Sequence, residues 1–478
     1  MSESALHRGM RPSSHPISRG GCEVIDASLA AAQPFLERDN NEEGVFVSLQ
    51  QEFSRVGDRA PTETGTFKLD RTVYPWNSPI PLVIVEGSSA EMGRQFGKAT
   101  KGIIGRVVQH NVPLLRDALH KSRVEEKDYL HNVERAVGKF TESEFLDEIN
   151  AMAEASSVSY DSLLLTNMNV DIMTTLRSQK AGELFSCDFF SAWGGATQTG
   201  SVVAGHNDDG GRLMDQFSVL RIAKPKRGRP FVTPVTPGYI GYDAIFNDAW
   251  FFFCGTALHD RMRDSEMTDD AVPSWFMYRW IGQFSSGVED AVARFNSVPN
   301  MGFKNWCFTD SGGTKIVEAT PKHKAFVDFP TKRKDAIFIS NNTACDELGS
   351  HIKKVKHPTS GDHRFASMKI ALEDAYGKIG LDEGMRLLSG HYDSSVKRES
   401  ASANTICMHG EYLGKISGTC RSLVLDLSTP DSLEVAVALG NPCYGCWRHL
   451  RLSRGLEKIE GYNPDDTRER ELRGLLAA

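Results

Sequence analysis

Ser186-Cys187-Asp188-Phe189-Phe190-Ser191-Ala192-Trp193-Gly194-Gly195-Ala196-Thr197-Gln198-Thr199-Gly200-Ser201-Val202-Val203-Ala204-Gly205-His206-Asn207-Asp208-Asp209 is the stretch on which the reading of this chain turns. The runs 189–193 and 201–206 are rich in apolar and aromatic residues. They flank the polar turn Thr197-Gln198-Thr199-Gly200, which is the pattern of a β-hairpin. A hairpin brings its two open ends together. Cys187 at the start of one strand and the Asn207/Asp209 pair at the end of the other are therefore expected to lie close, with no long-range assumption. Taken alone, a cysteine is a small core residue, and Asn or Asp at a strand end is a turn residue.

Working outward, the texture upstream is helical. Pro81–Glu86 reads as a strand. It is followed by the reciprocal capping pair Ser88 and Glu91 and an apolar stripe of Met92, Phe96, Ile103, Ile104 and Val107. Gly93 and Gly97 stand one turn apart on that helix, where glycine costs about 1 kcal/mol relative to alanine. Close approach of another element would offset that cost. Thr141 and Glu144 form a second capping pair ahead of Phe145, Ile149 and Met152, and a further helix is expected over 159–173. Downstream, strands are expected over 217–223, 238–246, 249–255, 306–310, 315–319, 325–329, 336–340, 421–427 and 433–439. Helices interrupt at 275–295, 365–376 and 382–388. Antiparallel hairpins with segregated helices make an α+β layered protein. Three segments follow: an irregular, polar extension over 1–65 (with a short helix over 42–53 as the alternative), a helical segment over 66–186, and a β-rich segment over 187–478 of the same domain.

Composition narrows the function classes. The chain has 478 residues, is 40% hydrophobic and 24% charged, and carries a formal net charge of −7. That balance disfavours a nucleic-acid partner, which calls for concentrated Lys and Arg. The nine cysteines are scattered, without the spacing of a disulfide framework. The N-terminal residues lack an apolar signal-peptide core, and the apolar run at 249–254 is too short to span a bilayer. A cytoplasmic protein with no membrane partner is the expectation. Cys443 and Cys446 form one C-x-x-C without a second pair, and His409 follows Cys407 at two residues. These read as loop or core thiols and a structural histidine, so no metal is expected.

The ordered set of short motifs resembles the isopenicillin-N acyltransferase family of N-terminal nucleophile (Ntn) hydrolases, which includes the β-alanyl-dopamine hydrolases. The resemblance runs through Gly87-Ser88, Glu91-Met92-Gly93 and Phe96-Gly97, then Glu148-Ile149 and Met152 to Ser156. It continues through Leu165 and Asn167, Cys187, Ala192-Trp193-Gly194 and Gly205-x-Asn207-x-Asp209. Later landmarks are Gly238 to Tyr242, Phe246-Asn247-Asp248-Ala249, Ile406 to His409 and Gly440 to Cys443.

The resemblance implies an αββα four-layer sandwich with two antiparallel sheets, and self-cleavage of the Ser186–Cys187 bond. Cys187 would then hold both a thiol nucleophile and its own base, an α-amine whose ordinary pKa of roughly 7.7–8.0 suits it to take the thiol proton. It also implies Asn247 as the oxyanion donor and Asp209 as the group that orients the amine, with Asn207 and His206 in support. The activity implied is hydrolysis of a linear amide, or acyl transfer, on a small-molecule amide or thioester. No cofactor is implied, no coenzyme A site is visible, and the two processed fragments would stay associated.

Two positions depart from the family pattern. Ser186 replaces a glycine before the nucleophile. Asp188 brings a carboxylate that would raise the thiol pKa, help the amine or select a cationic substrate. Two other functions fit the same residues: an unprocessed papain-like thiol hydrolase using a distant histidine, and an inactive relative acting as a binding module.

Overall fold

In a computed structural model of the chain, the residues described are 81–175, 186–211, 218–258, 262–329, 333–353, 357–412, 415–429, 431–444 and 447–461. The expected extension over 1–65, its alternative helix, and Cys446 lie outside them.

The chain enters through β1 (Leu82–Gly87) and a helical segment: α1 (Ser89–Ala99), α2 (Lys101–Lys121), α3 (Glu126–Phe140), α4 (Glu144–Ser156), α5 (Tyr160–Thr166) and α6 (Asn169–Thr175). The capping box at Ser88 and Glu91 forms as expected. Gly93 and Gly97 are explained by α4 crossing α1. A Cβ at Gly97 would lie 2.6 Å from the Met152 carbonyl oxygen, and one at Gly93 would collide with that of Glu148. Three expectations are corrected. The α1 stripe breaks at Thr100 and resumes as α2. The second capping pair does not form, because Thr141 Oγ1 donates to Val137 O and Ser143 precedes the helix. The helix over 159–173 divides at Asn167, whose side chain bonds Gly238 O and Ile240 N instead of continuing the turn.

The β-rich part begins with β2 (Ser186–Ala192), β3 (Val203–Gly211), β4 (Val219–Pro225), β5 (Phe231–Val235), β6 (Ala244–Asn247) and β7 (Phe252–Ala257). After α7 (Ser274–Phe284) and α8 (Val288–Asn296) come β8 (Lys304–Asp310), β9 (Gly313–Ala319), β10 (Lys324–Phe326) and β11 (Ala336–Ile339). Helices α9 (Ser360–Asp374) and α10 (Leu381–Leu388) lead to the short pair β12 (Tyr392–Asp393) and β13 (Arg398–Glu399). Then follow β14 (His409–Tyr412), β15 (Lys415–Asp426), β16 (Ser432–Leu439), β17 (Trp447–Ser453) and β18 (Ile459–Glu460). The strand read over 238–246 is ordered as strand only in its last residues, and the helix over 275–295 is two helices separated at Ser285–Gly287.

Two eight-stranded sheets result. One runs β1-β4-β5-β6-β7-β8-β9-β10; the other runs β11-β2-β3-β15-β16-β17-β18, with β14 on β15. Every pairing in them is antiparallel except β1 with β4, so the first sheet departs from the expected pattern at one edge. The sheets bury their facing sides against each other through Phe189, Ala204, Leu423, Val435 and Leu450 on one side and Ile222, Val232, Phe246, Phe252 and Cys307 on the other. Helices α1 and α7 cover the first sheet, and α9 and α10 the second. This is the αββα sandwich expected. Buried Glu148 of α4 pairs with Arg221 of β4 and Arg279 of α7, the latter at 2.8 Å, and so fastens the helical layer to the sheet. Among the described residues, no helix is long and apolar enough to cross a membrane.

Candidate active site

The expected hairpin forms, and its register pairs Cys187 with Asp208 and Ser186 with Asp209. On its other side β2 is paired with β11, but β11 ends at Ile339, opposite Phe189. At Cys187 the ladder on that side has run out, and side chains replace it. The Cys187 N–H donates to Asn341 Oδ1 at 2.8 Å, and its carbonyl accepts from Arg364 Nη1 at 3.0 Å. Asn341 lies just beyond β11 and donates its Nδ2 to Ala257 O at 2.6 Å, at the end of β7. Arg364 rises from α9, wholly buried, and also donates to Asn341 Oδ1. One asparagine thus joins the Cys187 nitrogen to both sheets and to α9.

Successive side chains on a strand face opposite ways, and this sorts the acidic residues into two groups. On the Cys187 side lie Asp208 and, from the loop before β6, Asp243. The thiol Sγ is 3.7 Å from Asp243 Oδ2. Asp208 pairs with Arg421, which donates its Nε to Ser218 Oγ at 2.6 Å and stacks over Tyr242. Burial raises the Cys187 thiol well above its ordinary value, and Asp243, Asp208 and Asp209 add to the rise, with Arg364 opposing it. Burial and the Asp243 charge push Asp208 up to about 7, with Arg421 opposing. Burial pushes Asp243 up to about 6, with Arg421 and Lys304 opposing. Lys304 is buried 5.2 Å from the Trp275 ring and 5.3 Å from the Tyr278 ring, and burial lowers its pKa. Carboxylates that titrate near neutrality beside a thiol can take its proton.

His206 belongs to this side. A ligand nitrogen of His206, the Cys187 Sγ and an Asp243 oxygen all lie within 4.8 Å of one another. His206 Nε2 is 3.2 Å from Gly255 O. A carbonyl only accepts, so Nε2 carries the hydrogen and Nδ1 is left as the basic nitrogen. Burial lowers the His206 pKa, which favours the neutral ring.

Asp188, Asn207 and Asp209 occupy the opposite face. Ser340 Oγ donates to Asp188 Oδ1, and Arg364 Nη1 sits 2.8 Å from Asp188 Oδ2 and 3.5 Å from Asp209 Oδ2. Thr419 Oγ1 donates to Asp209 Oδ1 at 2.7 Å. Burial raises the Asp209 carboxyl well above its ordinary value, against the pull of Arg364. Asn207 donates to Leu388 O and Ile406 O at 2.9 and 2.8 Å, clamping the sheet to its covering segment. Asp209 therefore reaches Cys187 through the Arg364 guanidinium.

Two expectations are corrected. Asn247 does not face Cys187. Its Nδ2 donates to Gly282 O and Ser285 O, both at 2.8 Å, and so caps the end of α7. Asp243 is the group at the site, and Asn247 lies four positions further along the chain, roughly 13 Å away if extended. Asp188 is not free to select a cationic substrate, because Arg364 and Ser340 engage it.

Asn341, Arg364, Asp243 and Asp208 went unread in the sequence. Asp243 left a trace, a lone acid inside an apolar run. Asn341 and Arg364 left none, since each acts at Cys187 from more than 150 residues away.

No protein-family model matches the chain. An uncharacterized protein of Archaeoglobus fulgidus is 23% identical over 361 residues, which covers 64% of this chain and 57% of that protein. The chain thus spans little more than half the length of that relative. Among solved structures, a mutant of conjugated bile acid hydrolase from Clostridium perfringens is similar over 58% of this chain and 97% of its own, with a TM-score of 0.37 and 13% identity. The Caenorhabditis elegans ortholog of N-acylethanolamine-hydrolyzing acid amidase is similar over 51% and 94%, with a TM-score of 0.35 and 12% identity.

Proposed function

We propose that this protein is an Ntn-type cysteine amidohydrolase whose nucleophile is Cys187, freed by self-cleavage of the Ser186–Cys187 bond. One observation carries the reading. The Cys187 nitrogen is held by Asn341 Oδ1 at 2.8 Å while its Sγ lies 3.7 Å from Asp243 Oδ2. The nitrogen that would leave is held in place by its own N–H, and the thiol has a carboxylate in reach to take its proton.

In the precursor no α-amine exists, so the first proton needs another acceptor. Asp243 takes it from the thiol. The thiolate attacks the Ser186 carbonyl carbon. The C–N bond breaks, the proton Asp243 took passes to the leaving nitrogen, which becomes the Cys187 amine, and Ser186 is held as a thioester. Water then hydrolyses the thioester to give a Ser186 carboxylate and a free thiol. In turnover the same amine, still beside Asn341, takes the thiol proton. The thiolate attacks a substrate amide, the amine product leaves, and water or an acceptor amine receives the acyl group. The fragments stay together because β1, before the cut, pairs with β4, after it.

Intact mass and N-terminal sequencing test this. Fragments of roughly 20 and 32 kDa are expected, the larger beginning at Cys187, with Cys187→Ala remaining one chain. A fully active uncut wild-type chain would overturn the proposal.

A further inference from the structure

Apart from the active site, three separate parts of the chain converge on one point behind the second sheet. His391 follows α10, Cys407 and His409 lie where the chain enters β14, and Cys443 lies in the turn Pro442–Tyr444 between β16 and β17. His409 Nε2 is 3.1 Å from His391 Nε2, 3.3 Å from Cys407 Sγ and 3.3 Å from Cys443 Sγ. The four donor atoms all lie within 4.8 Å of one another. One imidazole nitrogen has either one hydrogen or one lone pair, so it cannot satisfy three such neighbours by hydrogen bonding. A single ion at their centre satisfies all four. With zinc–sulfur bonds of about 2.3 Å and zinc–nitrogen bonds of about 2.0–2.1 Å, tetrahedral geometry separates donor atoms by roughly 3.3–3.8 Å. The three distances stand close to that range.

We propose that His391, Cys407, His409 and Cys443 form a Cys2His2 site for a tetrahedral divalent metal of the zinc class. Two thiolates and two imidazoles select zinc over the oxygen-seeking cations. Four protein donors close the coordination sphere, so the ion's role is structural.

The surroundings are those of a built site. Cys407 is buried and the other three residues are half-buried. Asn441 Nδ2 donates to Met408 O at 2.9 Å and lies 3.8 Å from Cys407 Sγ, which fixes the thiol's backbone and directs an N–H at its sulfur. The segment it fixes is tied to the catalytic hairpin. Ile406 O accepts from Asn207, and Met408 N donates to Thr419 Oγ1, the same hydroxyl that donates to Asp209. The metal braces the covering segment at Cys407 and His409 and, through Thr419, steadies the carboxylate beside Arg364.

The test is the metal content of the full-length protein, purified under reducing conditions without chelator. About one zinc per chain is expected. Cys443→Ser and His391→Ala should lower it to less than about a tenth, while Cys187→Ala, which alters the other thiol–histidine cluster, keeps it whole. Cobalt given to chelator-stripped wild-type protein should produce the strong visible bands of a tetrahedral site and a sulfur-to-cobalt charge-transfer band. That measurement decides the matter where a variant does not fold. Wild-type protein that takes up neither metal overturns the proposal, as does uptake unchanged by Cys443→Ser and His391→Ala, or a Cys407–Cys443 disulfide in the reduced preparation. None of these readouts depends on cleavage at Cys187.

Discussion

Asn341 holds Cys187 by the nitrogen that self-cleavage would release, its Oδ1 accepting the peptide N–H at 2.8 Å. The same oxygen accepts from Arg364, and the same amide donates to Ala257 O. The bond that would break is therefore gripped on its leaving side by a residue fixed from three directions.

Removing that grip is expected to slow both processing and turnover. Asn341→Ala leaves the Cys187 nitrogen and one Arg364 donor without their acceptor, and a buried donor left unpaired costs about 1–3 kcal/mol. Cleavage rate and kcat should each fall roughly ten- to hundredfold. Time-resolved gel analysis of freshly made protein gives the first, and steady-state kinetics the second. An unchanged rate in a folded variant would remove Asn341 from the site.

Processing should depend on pH through Asp243. Its carboxyl titrates near 6, so it can take the thiol proton only above that pH. The cleavage rate is expected to rise between about pH 5 and 7. Asp243→Asn should hold the rate near its low-pH level throughout and abolish the rise.

The same residue links function to stability. The Asp243 carboxyl has an ordinary value of 3.8 and a folded value of about 6, so the fold binds its proton more tightly than the unfolded chain does. The stability this contributes is complete below about 3.8 and is lost as pH rises through about 6. A rise of that size corresponds to at most roughly 3 kcal/mol. Asp243→Asn should therefore unfold at a higher temperature than wild type at pH 8, with the gain shrinking towards pH 4. Calorimetry at the two pH values measures it.

Asn247→Ala separates a structural asparagine from a catalytic one. It removes two hydrogen bonds to the end of α7. Each is worth about 0.5–1.5 kcal/mol. The midpoint of denaturant unfolding should fall, while kcat per folded molecule stays within about twofold of wild type. An oxyanion donor would instead cost about 2.7–4 kcal/mol in kcat, which kinetics on the folded fraction would reveal.

Glycines in the helical layer offer a paired comparison. Gly97→Ala drives a methyl group against Met152 O and should destabilise by roughly 1–3 kcal/mol. Gly138→Ala, in α3, meets nothing within 4 Å and should stabilise by about 0.5–1 kcal/mol. Opposite shifts in urea midpoint are the expected result.

The sequence by itself determined what local chemistry can determine. Two apolar runs around a polar turn set the hairpin from Cys187 to Asp209. The Ser88–Glu91 pair started α1, and two glycines one turn apart foretold the close approach of another element. Each signal sits within a few residues of its effect. What tertiary structure decided depends on where distant segments end. β11 stops two pairs short of Cys187, and that vacancy admits Asn341 and Arg364. Strand alternation places Asp209 on the face away from the thiol, and the packing of the other sheet brings Asp243 to it from the loop before β6, which no short spacing encodes. Asn247 lay near the right stretch of sequence, but at the wrong end of a strand along which each residue advances about 3.3 Å. His391, Cys407, His409 and Cys443 come from three segments joined only by the fold, because a ligand set is defined by convergence in space.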